Sequence, residues 1–297
     1  MKNCIIFALC LFMATACTPK QNRSSAPAEQ KTLTFTPPVI PTYMTNPEDQ
    51  AGYFVLQYWD NFDFTDTTMK EDWTNMVEDA FVNYINAFPY ASQQLVQRSI
   101  GNLLDKAFDG SRQMYDHFTD LFEKYFYDPN SPFRQEDFYI LVLRHIVGSE
   151  KLDELDKLRS RSHLEMALKN RPGDIATDFE YTLANGNKGR LSNVLADRII
   201  LFFNNPDCPD CMRVKEVLKQ LNIQGVKVVA IYPDDDIESW RAAEYPANWI
   251  NGYNYATLRA NNLYDLKAIP TLYLLNSDRR VVLKDAPVEY IMNFLYQ

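Results

Sequence analysis

Basic clusters are missing from this chain. It has 30 Lys and Arg against 39 Asp and Glu, a formal net charge of -9, and no stretch where positive charge gathers. Phosphate binding needs a concentrated basic face, so the composition argues against nucleic acid as a partner. It also argues against a charge-driven grip on an anionic membrane surface. Histidine is scarce. His117, His145 and His163 are the only three, and none stands at metal-ligand spacing from another or from a cysteine, so no metal site is expected. A bilayer-length hydrophobic run is lacking too, since the apolar stretch from Cys4 to Met13 is too short to span. No internal repeat is evident. Of five cysteines, only Cys208 and Cys211 lie beyond residue 17.

What the N-terminus does have is a short charged start, Met1-Lys2-Asn3, then that apolar run, then Ala14-Thr15-Ala16-Cys17. Small residues leading into a cysteine resemble the lipobox of bacterial lipoproteins, with Ala14 where Leu is usual. The resemblance implies a signal peptide over residues 1–16 and lipidation of Cys17. Acyl chains anchor a protein at about 0.8 kcal/mol per buried methylene, which makes a basic patch unnecessary. The expected location is the cell envelope, lipid-anchored and facing the periplasm. Cys4 and Cys10 would leave with the signal and Cys17 would be acylated, so one Cys-x-x-Cys pair would meet an oxidising compartment without competitors.

Residues 17–45 are rich in Pro, Ser, Thr and Gln and read as a flexible tether. Residues 46–169 read as a helical domain that opens at Asn46-Pro47-Glu48, a capping residue followed by Pro at the first helical position. Phe81, Tyr84, Ile85 and Phe88 recur at helical spacing, as do Phe118, Leu121, Phe122, Tyr125 and Phe126. Such stripes are the mark of core packing. Asn170-Arg171-Pro172-Gly173-Asp174 breaks the pattern. Over residues 170–297 strands and helices alternate: an entry hairpin turning at Asn185-Gly186, the apolar strand Ile199–Phe203, a helix, a strand from Val226, the strand from Thr271, the strand Val281–Leu283, and a last helix from Val288.

The chemistry gathers at Asp207-Cys208-Pro209-Asp210-Cys211, directly after the apolar strand. With Cys208 at the N-cap and Pro209 as the first helical residue, the unpaired N–H groups and the helix dipole stabilise a thiolate. Cys211 then stands where it can displace a mixed disulfide formed by Cys208. A structural disulfide is the competing reading. Half of a zinc site fails for want of further ligands. Asp207 and Asp210 either oppose the thiolate, which would place the pair toward the reducing end, or only cap the helix. Ala268-Ile269-Pro270-Thr271 follows some sixty residues on, with Pro at a strand start where no ladder hydrogen bond is lost.

A strand–CxxC–helix followed by Ile-Pro-Thr resembles the thioredoxin-like superfamily, over roughly Gly173 to the C-terminus. Asp178-Phe179, Gly186 and Asn276-Ser277-Asp278 make it most similar to exported disulfide reductases of the cytochrome-maturation type. The layout as a whole resembles uncharacterised lipoproteins of Bacteroides-like bacteria. The resemblance implies an α/β thioredoxin-like C-terminal domain preceded by an all-α N-terminal domain. It also implies a cis-proline loop in which Ile269 and Pro270 hold a substrate backbone opposite Cys208. Two departures stand out. Phe202 and Val214 occupy positions where relatives carry a proton-shuttling carboxylate, which leaves Asp207, Asp210 or Glu216 to assist Cys211, or slower resolution. Asn204-Asn205-Pro206-Asp207 replaces the usual tryptophan before the motif.

The expected activity is thiol–disulfide exchange that reduces or isomerises disulfides of exported proteins. Cys208 attacks, Cys211 resolves, no cofactor takes part, and a redox partner supplies electrons. Both sulfurs are expected to be exposed at the mouth of the helix. The alternative is a binding or adaptor lipoprotein with a vestigial thioredoxin fold. A thiol peroxidase is disfavoured, because Asn204 and Asn205 stand where a peroxide-orienting Thr or Ser is needed.

Overall fold

The computed structural model describes residues 35–65 and 71–297. The expected signal peptide, Cys17 and the tether up to residue 34 lie outside the described residues. No helix among the described residues is long and apolar enough to cross a membrane.

The first half is helical. α1 (Pro47–Gln57) starts where Asn46 Oδ1 accepts the Glu48 N–H at 2.8 Å, and Pro47 gives up no bond there. α2 (Glu71–Asn86), α3 (Gln93–Gly110), α4 (Arg112–Phe126), α5 (Glu136–Gly148) and α6 (Leu158–Ala167) follow. Their apolar stripes meet in an aromatic core. Phe81 of α2 stands edge-on to Phe122 of α4 at 4.9 Å, and Trp59 meets Phe118 at 5.0 Å. Some polar atoms inside that core find partners, while Trp59 Nε1 and Tyr115 Oη have none among the described residues. Tyr58 Oη donates to the Ala80 carbonyl at 2.8 Å, and Ser99 Oγ donates to the Val55 carbonyl at 2.5 Å. Phe35, inside the stretch read as tether, packs against Tyr58 and Trp59 with ring centroids 5.2 and 5.0 Å away. Its large apolar ring brings the packed chain to a start ahead of residue 46.

The second half is a mixed sheet of seven strands in the order β2-β1-β5-β4-β3-β6-β7. These are β1 (Glu180–Leu183), β2 (Lys188–Arg190), β3 (Arg198–Phe203), β4 (Val226–Tyr232), β5 (Ile250–Tyr253), β6 (Thr271–Asn276) and β7 (Val281–Lys284). β3 lies in the interior of the sheet, parallel to β4 and antiparallel to β6. Its alternation explains the continuous apolar run. Ile199, Leu201 and Phe203 join one buried cluster, while Ile200 and Phe202 join another on the opposite face. On that second face lie α7 (Pro209–Lys219) and α9 (Val288–Leu295). The β1–β2 turn uses Gly186 at φ 84°, a conformation open to glycine at little cost.

Neither β5 nor the short helix α8 (Ile237–Ala242) was expected from the sequence. β5 reads Ile-Asn-Gly-Tyr, with no apolar alternation. Its glycine is there because the Tyr181 ring of β1 lies over it: a Cβ on Gly252 would stand 2.8 Å from Tyr181 Cδ2 and 2.9 Å from Ile231 Cδ1. Its asparagine, Asn251, accepts the Trp240 indole N–H of α8 at 2.8 Å.

The two halves are joined by polar contacts. Lys284 of β7 is 5% exposed at its side chain and bonds Glu136 Oε2 of α5 at 2.9 Å. The same ammonium donates to the Ala167 and Lys169 carbonyls at 2.9 and 2.8 Å, satisfying the C-terminal end of α6. Arg134 pairs with Asp285, and the Lys267 ammonium sits 3.5 Å from the centre of the Tyr127 ring.

Candidate active site

β3 delivers the chain to the site. Its buried end at Phe203 leads into Asn204, Asn205 and Asp207, and α7 begins with Cys208 as N-cap and Pro209 at its first position. Asn205 builds the turn. Its Oδ1 accepts the Asp207 N–H at 2.9 Å, and its carbonyl accepts the Cys208 N–H at 3.2 Å. The Cys211 N–H donates to Cys208 Sγ at 3.3 Å, a bond in which sulfur takes the place of the oxygen of an ordinary cap. Both thiols are unbonded to each other.

The two sulfurs are not equally open. Cys208 is half-buried, whereas Cys211 is 2% exposed beneath α7. This differs from the expectation that both face solvent, and helix geometry explains it. Cys211 shares the core face of α7 with Val214 and Leu218, three and seven residues on, whereas Cys208 caps the helix with an extended backbone outside its first turn. Burial pushes the Cys211 thiol well up. The Asn205 N–H, 3.4 Å from its sulfur, opposes that shift, while the Cys208 thiol and the Asp210 charge add to it.

Ile269 and Pro270 face the pair. The bond between them is cis, and Cys208 Sγ donates to the Ile269 carbonyl at 3.7 Å. Thr271 Oγ1 braces this loop by donating to the Ala268 carbonyl at 2.6 Å. Arg259 ties the two sides together. It donates to Asp234 at 2.8 Å and to the Leu266 carbonyl at 3.1 Å, and Asp234 accepts from the Asn205 amide at 3.3 Å.

Asp207, Pro209 and Asp210 are exposed around the motif. Of the acids considered for Cys211, Glu216 lies away from it, bonded to Lys219 at 2.6 Å on the open side of α7. Only Asp210 bears on Cys211 electrically, and in the direction that keeps its proton on. The polar groups packed beneath the sulfur are neutral. Tyr245 Oη donates to Asn204 Oδ1 at 2.5 Å, Asn204 is 2% exposed, and its amide also donates to the Phe202 carbonyl at 3.1 Å. Burial pushes the Tyr245 hydroxyl well up. Sequence reasoning missed Tyr245. It arrives from a loop distant in sequence, with no local signal to mark it. Among the described residues, no three His, Cys, Asp or Glu side chains gather as a metal site.

Residues 14–170 match the family described as a domain of unknown function, DUF5106. A thioredoxin-like protein from Bacteroides caccae, known from a crystal structure, is 41% identical to this chain. It covers 89% of this chain and 98% of its own, with a TM-score of 0.81. The chain is a thioredoxin-like member of the DUF5106 family. The C-terminal domain of an uncharacterized protein from Bacteroides fragilis is 38% identical over 43% of this chain and 99% of its own, with a TM-score of 0.42. No curated protein is detectably similar. In this DUF5106 protein the family match ends at residue 170, where the helical half gives way to the thioredoxin-like sheet.

Proposed function

We propose that this protein is a thiol–disulfide oxidoreductase that reduces or isomerises disulfides in exported proteins. The observation that carries this reading is the disposition of Cys208: a half-buried sulfur at the head of α7 that accepts the Cys211 N–H at 3.3 Å and faces the Ile269 carbonyl at 3.7 Å.

Cys208 as thiolate attacks one sulfur of a substrate disulfide. That S–S bond breaks, a Cys208–substrate S–S bond forms, and the other substrate sulfur leaves as thiolate and takes up a proton. Cys211 then loses its proton and attacks Cys208 Sγ. The substrate's second sulfur leaves, and the Cys208–Cys211 disulfide holds the oxidation. Two electrons from an external dithiol partner return the pair to its reduced form. For isomerisation, the released substrate thiolate attacks a second substrate disulfide, and the thiolate freed there attacks the mixed disulfide and displaces Cys208 before Cys211 acts, so no net electrons move. Ile269 and Pro270 hold the substrate backbone, and the reading needs no cofactor.

The reading extends to location. A lipid on Cys17, following removal of residues 1–16, would hold the enzyme at the cell envelope facing the periplasm, where its disulfide substrates form. Labelling with a radioactive fatty acid tests this, since a Cys17→Ser variant would lose the label.

Reduction of a disulfide-linked unstructured peptide by the purified protein with a small dithiol tests the activity. Turnover that disappears in Cys208→Ser is expected. Turnover no faster than the dithiol alone would favour a binding lipoprotein with a vestigial redox pair.

A further inference from the structure

Beside the Cys208–Ile269 contact lies a cleft of about 630 Å³ whose walls come from both halves of the chain. The thioredoxin-like half supplies the start of α7, the Ile269-Pro270 loop and the segment after β7. The helical half supplies the facing wall, residues 129–136, from the connection between α4 and α5.

That wall is built as a fixed surface. Asp128 Oδ1 accepts the Asn130 N–H at 2.8 Å, Ser131 Oγ donates to the Tyr125 carbonyl at 2.6 Å, and the Gln135 N–H reaches the Phe126 carbonyl at 3.2 Å. Phe133 packs its ring 5.6 Å from that of Tyr125. The wall is also clamped to the opposite side, because Arg134 pairs with Asp285 and Glu136 with the buried Lys284. Its position relative to the redox pair is therefore set by bonds within the fold.

The lining describes what fits. Arg134, Glu136, Lys284 and Asp285 spend their charge on one another, and Arg213 bonds Glu289 at 2.6 Å. Asp210 is the lining charge left without an ion pair among the described residues, so an acidic segment is disfavoured and other ionic groups find little unpaired charge to meet. Pro129, Pro132, Pro270 and Pro287 present ring surface and no N–H. Val214, Leu272 and Val288 also line it, although each is buried. The volume falls in the roughly 300–1,000 Å³ range of ligand clefts, room for a short extended segment and not for a folded domain.

We infer that residues 129–136 of the DUF5106 half form the second wall of the substrate groove, and that the groove admits cysteines carried on extended, largely uncharged polypeptide segments. Disulfides fixed on the surface of a folded protein are kept from Cys208 by that wall. This rests on the exchange chemistry proposed above and adds its substrate class.

The test uses the full-length Cys211→Ser protein and cysteine peptides activated as mixed disulfides with thionitrobenzoate. The Cys208 thiolate attacks the peptide sulfur, one S–S bond forms, one breaks, and thionitrobenzoate leaves with the electron pair. Each peptide carries a benzophenone photoprobe at one of the positions flanking its cysteine. After irradiation and digestion, at least one probe is expected to be joined to the segment 129–136. Adducts confined to residues 208–214 and 268–288 would overturn the inference. A protein that never releases thionitrobenzoate would instead refute the exchange reading itself, and this inference with it. A second measurement uses Asn130→Trp in the otherwise unaltered chain, which adds bulk at an exposed wall position. The ratio of kcat/KM for a disulfide-linked peptide to that for hydroxyethyl disulfide is expected to fall at least fivefold. An unchanged ratio would overturn the inference.

Discussion

Replacing Lys284 by Met removes the central tie between the two halves while keeping the side chain's length and apolar stem. The ammonium is 5% exposed and bonds Glu136 at 2.9 Å, with the Ala167 and Lys169 carbonyls at 2.9 and 2.8 Å. Without it those carbonyls lose a charged donor, and Glu136 stays half-enclosed. Burial already pushes its carboxyl up, against the pull of Lys284. Breaking a buried pair from one side costs about 3–5 kcal/mol. Glu136 keeps 26% of its side chain exposed and can take up water or a proton, so roughly 3 kcal/mol is the reasonable figure. At roughly 2–4 °C per kcal/mol for a domain of this size, the thermal midpoint should fall by about 6–12 °C. Glu136→Gln in the Lys284→Met background should recover part of that loss, and the cycle should show a coupling of about 1–3 kcal/mol. A Lys284→Met midpoint within about 1 °C of wild type would refute the reasoning. So would the absence of coupling.

Three further outcomes follow from the same structure. The second, resolving step of exchange needs Cys211 as thiolate, and burial holds that thiol well up, with no carboxylate hydrogen-bonded to its sulfur among the described residues. Its rate should therefore climb roughly tenfold per pH unit from about pH 6 to 9, and a plateau near neutrality in single-turnover measurements would reveal an assisting base. Tyr245→Phe leaves the buried Asn204 Oδ1 without its 2.5 Å partner. The expected cost is about 1–3 kcal/mol in urea unfolding, and an unchanged midpoint would show that the Asn204 amide finds another donor. Gly252→Ala puts a methyl 2.8 Å from Tyr181. It should cost about 1–3 kcal/mol, and equal stability would mean the Tyr181 ring moves freely.

How much of this was legible in the sequence depends on how local each feature is. β3 announces itself because a strand covered on both faces needs no polar residue, and Ile199 to Phe203 has none. α7 announces itself through Cys208 and Pro209, whose chemistry suits a helix start. β5 does not, because its residues answer to neighbours on other elements: Gly252 to the Tyr181 ring, Asn251 to the Trp240 indole. The Asn204–Tyr245 pair spans 41 residues and the Arg134–Asp285 pair 151, and no periodicity encodes such meetings. The unequal exposure of the two thiols is also a tertiary fact. CxxC spacing gives the order of the sulfurs along α7, but only packing against Val214 and Leu218 decides which one solvent reaches.

The division of labour between the sulfurs is tested most directly by titrating the reduced protein with Ellman's reagent in a stopped-flow instrument. Wild type should release two equivalents of thionitrobenzoate in two phases and end with a Cys208–Cys211 disulfide. Cys211→Ser should stop after one, with the mixed disulfide on Cys208. A Cys208→Ser protein that reacts as fast as wild type, or a wild-type product without the internal disulfide, would contradict the account.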